Sequence, residues 1–313
     1  MVTDEMKQTV VIIGVGYIGL ELSKTFSRKF NVIGYDISSQ RIDYLNTNHQ
    51  MENTTFQTTL DNMKGAALYL ISTTTSLSQN GDINLDHVQM ACENVANLAT
   101  KGSTIVLESS VAIGTTRKLL GKLRSKDIYI GFSPERVDPG RLSPQGHEIP
   151  KVIAGIDQQS LFNIHLYYNQ VYHQLHPVES LETAEMTKLF ENCFRMVNIA
   201  FVNEMADNCE KWGIDPYQVV DAASTKPFGY MPFTPGVGVG GPCIPVNPYY
   251  LFTNNQFPLL KTATKLMESR PIQLAQQLSK SLQNRQRILV AGIAFKPGQS
   301  IYLHSANLQF AKT

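Results

Sequence analysis

The sequence feature that most constrains the fold is a glycine-rich segment directly after an apolar run near the N-terminus. The run Thr9–Gly14 reads TVVIIG, and Gly14, Gly16 and Gly19 then form the pattern GVGYIG ahead of a stretch of helical length. Between a strand and a helix, the first glycine makes a tight turn, the second lets the backbone approach a ligand, and the third lets helix and strand pack closely. The segment therefore predicts a βαβ unit that binds a dinucleotide at the helix N-terminus. The alternative interpretation is that the glycines only turn the chain.

An acidic residue narrows the choice of dinucleotide. Asp36 ends the next apolar run, 22 residues after Gly14. A carboxylate at this place accepts hydrogen bonds from a ribose 2′-hydroxyl and repels a 2′-phosphate, which favours NAD over NADP. The residues predicted to bind the cofactor are Gly14, Gly16, Tyr17, Ile18, Gly19, Asp36, Arg41, Thr75 and Ser110.

Apolar runs alternate with stretches of helical length over about the first 175 residues. Each run is apolar throughout and does not alternate with polar residues, which is typical of strands buried on both faces. This rhythm predicts an α/β fold, a Rossmann-like, doubly wound parallel sheet. The predicted strands are Thr9–Gly14, Val32–Asp36, Ala67–Ser72, Thr104–Glu108 and Ile128–Ser133.

The pattern changes after Glu179. From Ser180 to Gly213 the chain has helical periodicity without an internal glycine or proline, which predicts one long spine helix. A loop rich in glycine and proline follows over Lys226–Pro248, and Leu259–Gln283 is again helical in pattern. Arg287–Phe295 reads RILVAGIAF and predicts a buried strand. We therefore expect three parts: a Rossmann-like domain (1–178), a central helical domain (179–284) and the truncated start of a second α/β domain (285–313).

Composition and charge exclude several classes of partner. The formal net charge is +1 over 313 residues, without a basic run that would favour nucleic acid or an anionic membrane surface. The polar N-terminus and the lack of about 18 consecutive apolar residues predict a cytoplasmic protein. The four cysteines form no CxxC pair, which predicts reduced thiols and no metal site.

Polar residues in three regions are candidates for chemistry. Cys243 lies in the loop sequence GVGVGGPCIPVNPYY, where a thiolate is accessible to a substrate; a structural role is equally compatible with the spacing. Lys188 and Asn192 are four residues apart on the predicted helix, so they share one face and can stabilise an oxyanion, or form a solvated polar stripe. Glu108 and Ser110 lie at the C-terminal end of the fourth predicted strand, and Glu135 lies just past the end of the fifth. Ligands of doubly wound sheets bind at this edge, so the two carboxylates are either functional or plain loop acids.

The motifs together resemble the UDP-glucose/GDP-mannose dehydrogenase family, most closely the members that oxidise UDP-N-acetylmannosamine or UDP-N-acetylglucosamine at C6. The resemblance covers nearly the whole chain. It rests on GVGYIG, on ESSVAIGTT (Glu108–Thr116), on GFSPERVDPGR (Gly131–Arg141), and on the block from ETAEMTKLFENCFRMVNIAFVNE to GVGVGGPCIPVNPYYL.

The resemblance implies a four-electron oxidation that uses two NAD molecules in turn. An alcohol becomes an aldehyde, a cysteine thiolate adds to it, a second oxidation leaves a thioester, and water releases the uronic acid. Matched by motif, Cys243 is the nucleophile, Lys188 and Asn192 stabilise oxyanions, and Glu135 assists the hydrolytic water. The residues implied to bind the UDP-sugar are Arg136, Phe228, Tyr230, Phe233, Val239 and Gly240.

The sequence departs from the family at functional positions. The family pattern GGHCIPVDP is here GGPCIPVNP, so Pro242 replaces a histidine and Asn247 replaces the aspartate assigned to acid/base catalysis. The C-terminal UDP-binding domain is expected to be represented only by residues 285–313. Further departures are Thr73–Ser76 in place of VPTP, and Met267, Ile301 and Leu303 in place of an asparagine, an aspartate and an arginine.

Two functions remain in competition. The first is an NAD-dependent nucleotide-sugar 6-dehydrogenase. The second is a degenerate or repurposed member with a non-oxidative role or a ligand that is not a nucleotide. In both cases we expect a homodimer through the spine helix, because a helix of this length carries apolar residues such as Met186, Phe190, Val197 and Phe201.

Overall fold

The computed structural model describes residues 7–78, 81–138, 143–282, 286–295, 302 and 304–313. The chain divides into two compact units, Met1–Lys188 and Leu189–Thr313. Ile301, Leu303 and the end of the Gly131–Arg141 motif, all named above, lie outside the described residues.

The first unit is an α/β domain built on one large sheet. Its strands are β1 (Thr9–Ile13), β2 (Asn31–Tyr35), β3 (Thr54–Gln57), β4 (Leu68–Ile71), β5 (Ser76–Leu77), β6 (Ile83–Asn84), β7 (Thr104–Leu107), β8 (Tyr129–Phe132), β9 (Lys151–Gly155) and β10 (Leu175–Pro177). Within the described residues, the sheet order is β10-β9-β8-β7-β4-β1-β2-β3, and β5 and β6 form a separate antiparallel pair. The five predicted strands correspond to β1, β2, β4, β7 and β8.

Helices cover both faces of this sheet. They are α1 (Tyr17–Phe26), α2 (Ser39–Asn48), α3 (Asp86–Leu98), α4 (Thr115–Leu120), α5 (Gln158–Tyr168) and the beginning of α6 (Leu181–Lys211). Side chains of β1 alternate between two apolar cores: Val10 belongs to a core that contains Phe26 of α1, and Val11 to one that contains Val95 of α3. This two-sided burial explains the continuous apolar runs of the sequence. The predicted doubly wound Rossmann-like fold is confirmed.

One edge of the sheet differs from the prediction of a parallel sheet. Strand β9 runs antiparallel to β8, with Gly131 opposite Gly155 and Phe132 opposite Ala154. A parallel neighbour requires a crossover connection, usually a helix. The described part of the β8–β9 connection contains only a short 3-10 helix, Gly146–Glu148. The first residue of β9 therefore lies beyond the carboxyl end of β8.

The second unit is helical in its described residues. It contains most of α6, followed by α7 (Pro216–Ser224), α8 (Asn247–Phe252), α9 (Pro258–Ser281) and α10 (Ala306–Lys312). The long spine helix and the irregular loop before α8 agree with the sequence pattern. None of the helices in the described ranges has the length and apolarity needed to cross a bilayer.

The strand predicted over Arg287–Phe295 does not form. Its residues have no regular structure, and Leu289 is 89% exposed. A strand is stable only when a neighbouring strand satisfies its backbone hydrogen bonds. No described residue of the second unit supplies such a neighbour, so the apolar pattern alone does not produce a strand.

Candidate functional site

The glycine turn between β1 and α1 has the geometry that its sequence predicts. Gly14 has a φ of +89°, and its N–H donates to the Tyr35 carbonyl over 2.8 Å. A Cβ atom at Gly19 would lie 2.0 Å from the Gly14 carbonyl oxygen. Gly16 is different, because a Cβ atom there would have no neighbour within 4 Å. The turn thus needs Gly14 and Gly19 for its own packing and leaves open space beside Gly16.

Asp36 and Arg41 both contact this turn. The Asp36 carboxylate accepts hydrogen bonds from the N–H groups of Val15 at 3.1 Å and Ser38 at 3.0 Å. The Arg41 guanidinium donates to the carbonyls of Val15 at 2.8 Å and Gly16 at 3.1 Å. Arg41, predicted as a cofactor residue, therefore braces the turn from the side of α2.

A cleft opens at the carboxyl ends of β1, β2 and β4. Gly14, Gly16 and Asp36 line it, as predicted, together with Thr73, which follows β4. This is the place where the chain connections of a doubly wound sheet diverge and where ligands bind. The Thr73 hydroxyl is buried there without a hydrogen-bond partner among the described residues. The open Gly16, the unsatisfied hydroxyl and the acidic strand end fit a dinucleotide. The cleft residues Ile37, His87, Met90 and Asn94 were not predicted.

The other predicted cofactor residues lie around the same region of the first unit. Tyr17 begins α1 and is 39% exposed. Ile18 packs against an apolar core instead of facing the cleft. The Thr75 hydroxyl donates to the Ser110 carbonyl over 3.1 Å, which ties the segments after β4 and β7 together. None of these four residues lines the cleft itself.

Glu135 and Lys188, two of the predicted catalytic residues, are in contact. The Lys188 ammonium group donates to the backbone carbonyl of Glu135. The Glu135 carboxylate is buried, and its Oε1 accepts from the N–H groups of Arg136 and Val137, both at 2.7 Å. The Arg136 guanidinium donates to the Pro150 carbonyl over 2.9 Å.

A buried charged cluster joins Glu135 to Glu108, which was also a candidate, and to Lys151, which was not predicted. The Lys151 ammonium group lies 2.6 Å from Glu108 Oε2 and 3.2 Å from Glu135 Oε2. Tyr168 donates from its hydroxyl to Glu108 Oε1 over 2.5 Å. Lys151 is 3% exposed. The only sequence signal was a lysine immediately before the apolar run VIAG.

In the second unit, Cys243 lies in the turn that leads into α8 and is exposed. Its carbonyl accepts from the N–H groups of Val246 at 3.2 Å and Asn247 at 3.0 Å. All four cysteines belong to the described residues, and the other three are buried. Burial raises the pKa of the Cys92 and Cys193 thiols to about 12, so these two remain protonated at neutral pH.

Asn192 and Asn247 form a buried amide pair in the same unit. The Asn192 NH₂ group donates to the Asn247 side-chain oxygen, and Arg195 donates to the Asn192 side-chain oxygen. The two asparagines are 0% and 2% exposed. The structure therefore brings together two of the predicted catalytic side chains and adds Arg195, which was not predicted.

The predicted substrate loop is held at one point and exposed at another. The Gly236 N–H donates to the Asn203 side chain over 2.9 Å, and Arg270 donates to the Gly236 carbonyl over 2.8 Å. The loop residues predicted to bind the sugar nucleotide become less exposed along the chain. Phe228 and Tyr230 are exposed, whereas Phe233, Val239 and Gly240 are half-buried. The Phe233 ring packs edge-on against Phe194 of α6. A Cβ at Gly240 would lie 3.0 Å from the Phe295 Cβ.

Comparison with known families assigns both halves of the chain. Residues 8–176 match the NAD-binding domain of the UDP-glucose/GDP-mannose dehydrogenase family, and residues 182–269 match its central domain. The chain belongs to this family. It is therefore an oxidoreductase of the NAD-dependent UDP-sugar dehydrogenase type, and its cofactor is NAD.

Individual relatives agree with this assignment. UDP-N-acetyl-D-mannosamine dehydrogenase of Pyrococcus horikoshii is 30% identical, over 97% of this chain and 80% of that protein. UDP-N-acetyl-D-glucosamine 6-dehydrogenase of Pseudomonas aeruginosa is 29% identical, over 92% of this chain and 75% of that protein. The solved structure of the Pyrococcus horikoshii enzyme superposes with a TM-score of 0.89 at 29% identity, over 97% of this chain and 80% of the other.

The family assignment names NAD as the cofactor, and the cleft of the first unit is the candidate site for it. Gly14, Gly16 and Asp36 would hold NAD, with the pyrophosphate at the N-terminus of α1. Among the described residues, no three His, Cys, Asp or Glu side chains are grouped so as to hold a metal ion.

Proposed function

We propose that the protein oxidises the C6 hydroxyl of a UDP-N-acetylhexosamine to a carboxylate, with NAD and a covalent intermediate on Cys243. The observation that carries the proposal is the environment of this thiol. Cys243 is exposed in a loop, and the residue four positions later, Asn247, is buried and hydrogen-bonded to Asn192. The relatives that act on UDP-N-acetylmannosamine and UDP-N-acetylglucosamine support this class of substrate.

NAD supplies the hydride acceptor for each of the two oxidations. The substrate alcohol loses a hydride and a proton to become an aldehyde. The Cys243 thiolate then adds to the carbonyl carbon, and Lys188 and Asn192 stabilise the oxyanion that forms. Loss of a second hydride leaves a thioester. Water, assisted by Glu135, attacks the thioester, which releases the carboxylate and regenerates the thiol.

Asn247 limits the rate of these reaction steps. A neutral amide accepts and donates hydrogen bonds but does not take up a proton at neutral pH. Position 247 therefore keeps its hydrogen bond to Asn192 and lacks the acid/base function of an aspartate. General acid–base catalysis contributes about 10²–10⁴-fold to a rate. We expect slow turnover, limited by the proton transfers that an aspartate would assist.

The proposal assigns a task to each predicted part of the chain. Residues 1–178 bind NAD; residues 179–284 supply Cys243, the UDP-sugar loop from Phe228 to Gly240, and the dimer contact; residues 285–313 correspond to the start of the UDP-binding domain.

The spine helix is proposed to join two copies of the chain. Phe190 is 61% exposed and Phe201 is 69% exposed, and with Val197 they share one face of α6. Burial of these side chains favours association. Phe201→Glu should convert a dimer to a monomer in size-exclusion chromatography with light scattering. A wild-type protein that is monomeric at micromolar concentration contradicts the proposed interface.

A second candidate function is binding without oxidation. It is favoured by two substitutions beside the thiol, Pro242 and Asn247, because both remove side chains that exchange protons. In this case the scaffold retains NAD or another ligand and performs no hydride transfer.

The two candidates are separated by NADH absorbance with a panel of UDP-sugars. Wild type and Asn247→Asp are assayed side by side, and NAD binding is measured by calorimetry for both. The dehydrogenase proposal predicts slow NADH formation by wild type and a faster rate for Asn247→Asp, by up to about 10²–10⁴-fold. Two folded, NAD-binding proteins that form no NADH with any sugar favour the second candidate.

A further inference from the structure

Three strands of the first unit place charged side chains together in one buried cluster, at the carboxyl ends of β7 and β8. Glu108 follows β7, Glu135 lies three residues beyond β8, and Lys151 is the first residue of β9. Strands β7 and β8 are parallel, so their carboxyl ends coincide. Strand β9 is antiparallel to β8, so its amino end meets them there. The register of the sheet therefore brings two carboxylates and one ammonium group together.

The Lys151 ammonium group uses its three donors on three different acceptors. They are Glu108 Oε2 at 2.6 Å, Glu135 Oε2 at 3.2 Å and the Pro134 carbonyl at 3.2 Å. Glu108 is held from its other side by the Tyr168 hydroxyl. Lys151 thus contacts both the side chain of Glu135 and the peptide that precedes it.

Glu135 is constrained at every polar atom of its side chain and at its carbonyl. Oε1 accepts the N–H groups of Arg136 and Val137, and Oε2 accepts Lys151. The backbone carbonyl accepts the Lys188 ammonium group. Lys151 therefore binds the side chain and Lys188 the backbone carbonyl of the same residue, so Glu135 connects the two ammonium groups.

The charges of the cluster are unequal, with two carboxylates for one buried ammonium group. Burial opposes the charged form of Lys151, but Glu108 and Glu135 hold its pKa above the ordinary value. Burial raises the pKa of Glu108 in spite of Lys151. Burial also acts to raise the pKa of Glu135, yet Lys151, the backbone N–H groups and Lys188 hold it below the usual range. Glu135 is therefore the carboxylate that stays ionised, and Glu108 is the one that takes up a proton more readily.

Other titratable groups also face the cluster. Tyr168 of α5 donates to Glu108, and the ring of Tyr172, after α5, lies 5.5 Å from the Lys151 ammonium group. Burial raises the pKa of both tyrosines far above neutrality, so they remain uncharged. Tyr17 of α1 is close enough for the Glu135 charge to contribute, after burial and Glu21, to a raised pKa. Lys151 donates hydrogen bonds to both carboxylates.

We propose that Lys151 is a positioning residue of the reaction: its buried ammonium group holds the Glu135 carboxylate ionised and in a fixed orientation, and thereby fixes the carbonyl that Lys188 binds. The inference rests on the proposed function, in which Glu135 assists the hydrolytic water and Lys188 stabilises oxyanions. Misplacement of such groups by about 1 Å costs about 10²-fold in rate.

The test compares Lys151→Met, Lys151→Arg and a matched control, Lys101→Met. Lys101 forms an exposed ion pair with Asp127 on the same unit, so the control also removes an ammonium group. We expect Lys151→Met to lower kcat by about 10²-fold with little change in the KM for the UDP-sugar. The acid limb of its pH–rate profile should move to higher pH, because Glu135 loses its counter-ion. Lys151→Arg should restore most of the rate and the profile, and Lys101→Met should match wild type.

A second readout does not depend on turnover. The Glu135 carboxyl carbon is followed by NMR in protein labelled with ¹³C-glutamate, with the resonance assigned by Glu135→Gln. Its titration midpoint should rise in Lys151→Met and return toward wild type in Lys151→Arg. An unchanged midpoint in folded Lys151→Met overturns the proposal. If wild type forms no NADH, the proposed function fails, and the titration still decides whether Lys151 controls Glu135.

A double variant guards against loss of folding. Lys151→Met combined with Glu108→Gln keeps the formal charge of the cluster at −1, since one positive and one negative charge are removed together. Replacement of both partners of a buried pair is tolerated better than removal of one. The double variant should fold and still show the raised Glu135 midpoint. A wild-type midpoint in this protein also contradicts the proposal.

Discussion

Gly16 and Gly19 belong to one turn, yet alanine at the two positions should cause different failures. A Cβ atom at Gly19 would lie 2.0 Å from the Gly14 carbonyl oxygen, about 1.4 Å short of ordinary van der Waals contact. The obstacle is backbone, which a rotamer change does not relieve. Overpacking typically costs about 1–3 kcal/mol, and a rigid obstacle places Gly19→Ala at the upper end. About 3 kcal/mol corresponds to a fall in Tm of roughly 6–12 °C in a domain of this size.

Gly16→Ala should leave the fold intact and weaken cofactor binding. The new methyl group meets no protein atom within 4 Å, and Gly16 has a φ of −63°. The change in the free energy of unfolding should stay within about 1 kcal/mol. The space beside Gly16 is where the NAD pyrophosphate would approach the backbone. Loss of one charge-assisted hydrogen bond costs about 1.5–3 kcal/mol, which raises the Kd for NAD about 10- to 100-fold.

Thermal unfolding without NAD and calorimetric titration with NAD measure the two effects separately. Wild type serves as the reference in both assays. Gly16→Ala with an unchanged Kd for NAD refutes the assignment of the open space to the pyrophosphate. Gly19→Ala with an unchanged Tm refutes the packing argument.

Three further predictions follow from burial and pKa. Iodoacetamide should label Cys243 much faster than Cys92, because Cys243 is exposed and burial raises the pKa of the Cys92 thiol to about 12. Peptide mass spectrometry measures the two labelling rates, and preferential labelling of Cys92 contradicts the prediction. Glu185→Ala should lower the free energy of unfolding in urea by about 3 kcal/mol, because the buried carboxylate accepts from the N–H and hydroxyl of Thr116 at 2.9 and 2.6 Å; a loss below about 1 kcal/mol is incompatible with that role. Burial acts to raise the pKa of Asp157, but hydrogen bonds from the α5 N-terminus and an arginine hold it below the usual value. The difference in the free energy of unfolding between wild type and Asp157→Asn should therefore reach its full size above the unfolded-state pKa of about 3.9. It should disappear as the pH falls through the lower folded-state pKa. A difference that increases as the pH falls contradicts this prediction.

The geometry of the glycine turn was predictable because its determinants are local. The Gly14 turn, the close packing at Gly19 and the acid at Asp36 all lie within one βαβ unit, so sequence spacing fixes their geometry. The spine helix was predictable for the same reason, since α6 contains no residue that interrupts helical hydrogen bonding.

Features that depend on distant strands were not predictable. Lys151 approaches Glu108 and Glu135 only because β9 is antiparallel to β8, and no local pattern specifies that pairing. The strand predicted over Arg287–Phe295 was wrong for a related reason: its apolar pattern is suited to a sheet, but no described neighbour pairs with it. Local pattern predicts which segments favour strands, whereas pairing decides which of them form.

The most direct test of the account is the number of NADH molecules formed for each UDP-sugar consumed. Wild type and Cys243→Ala are run to completion with limiting UDP-N-acetylmannosamine or UDP-N-acetylglucosamine and excess NAD, and the products are identified by mass spectrometry. The account predicts two NADH and a uronic acid from wild type, and at most one NADH and an aldehyde when the thiol is absent. Uronic acid formed by Cys243→Ala with two NADH contradicts the covalent mechanism, and no NADH from wild type contradicts the proposed oxidation itself.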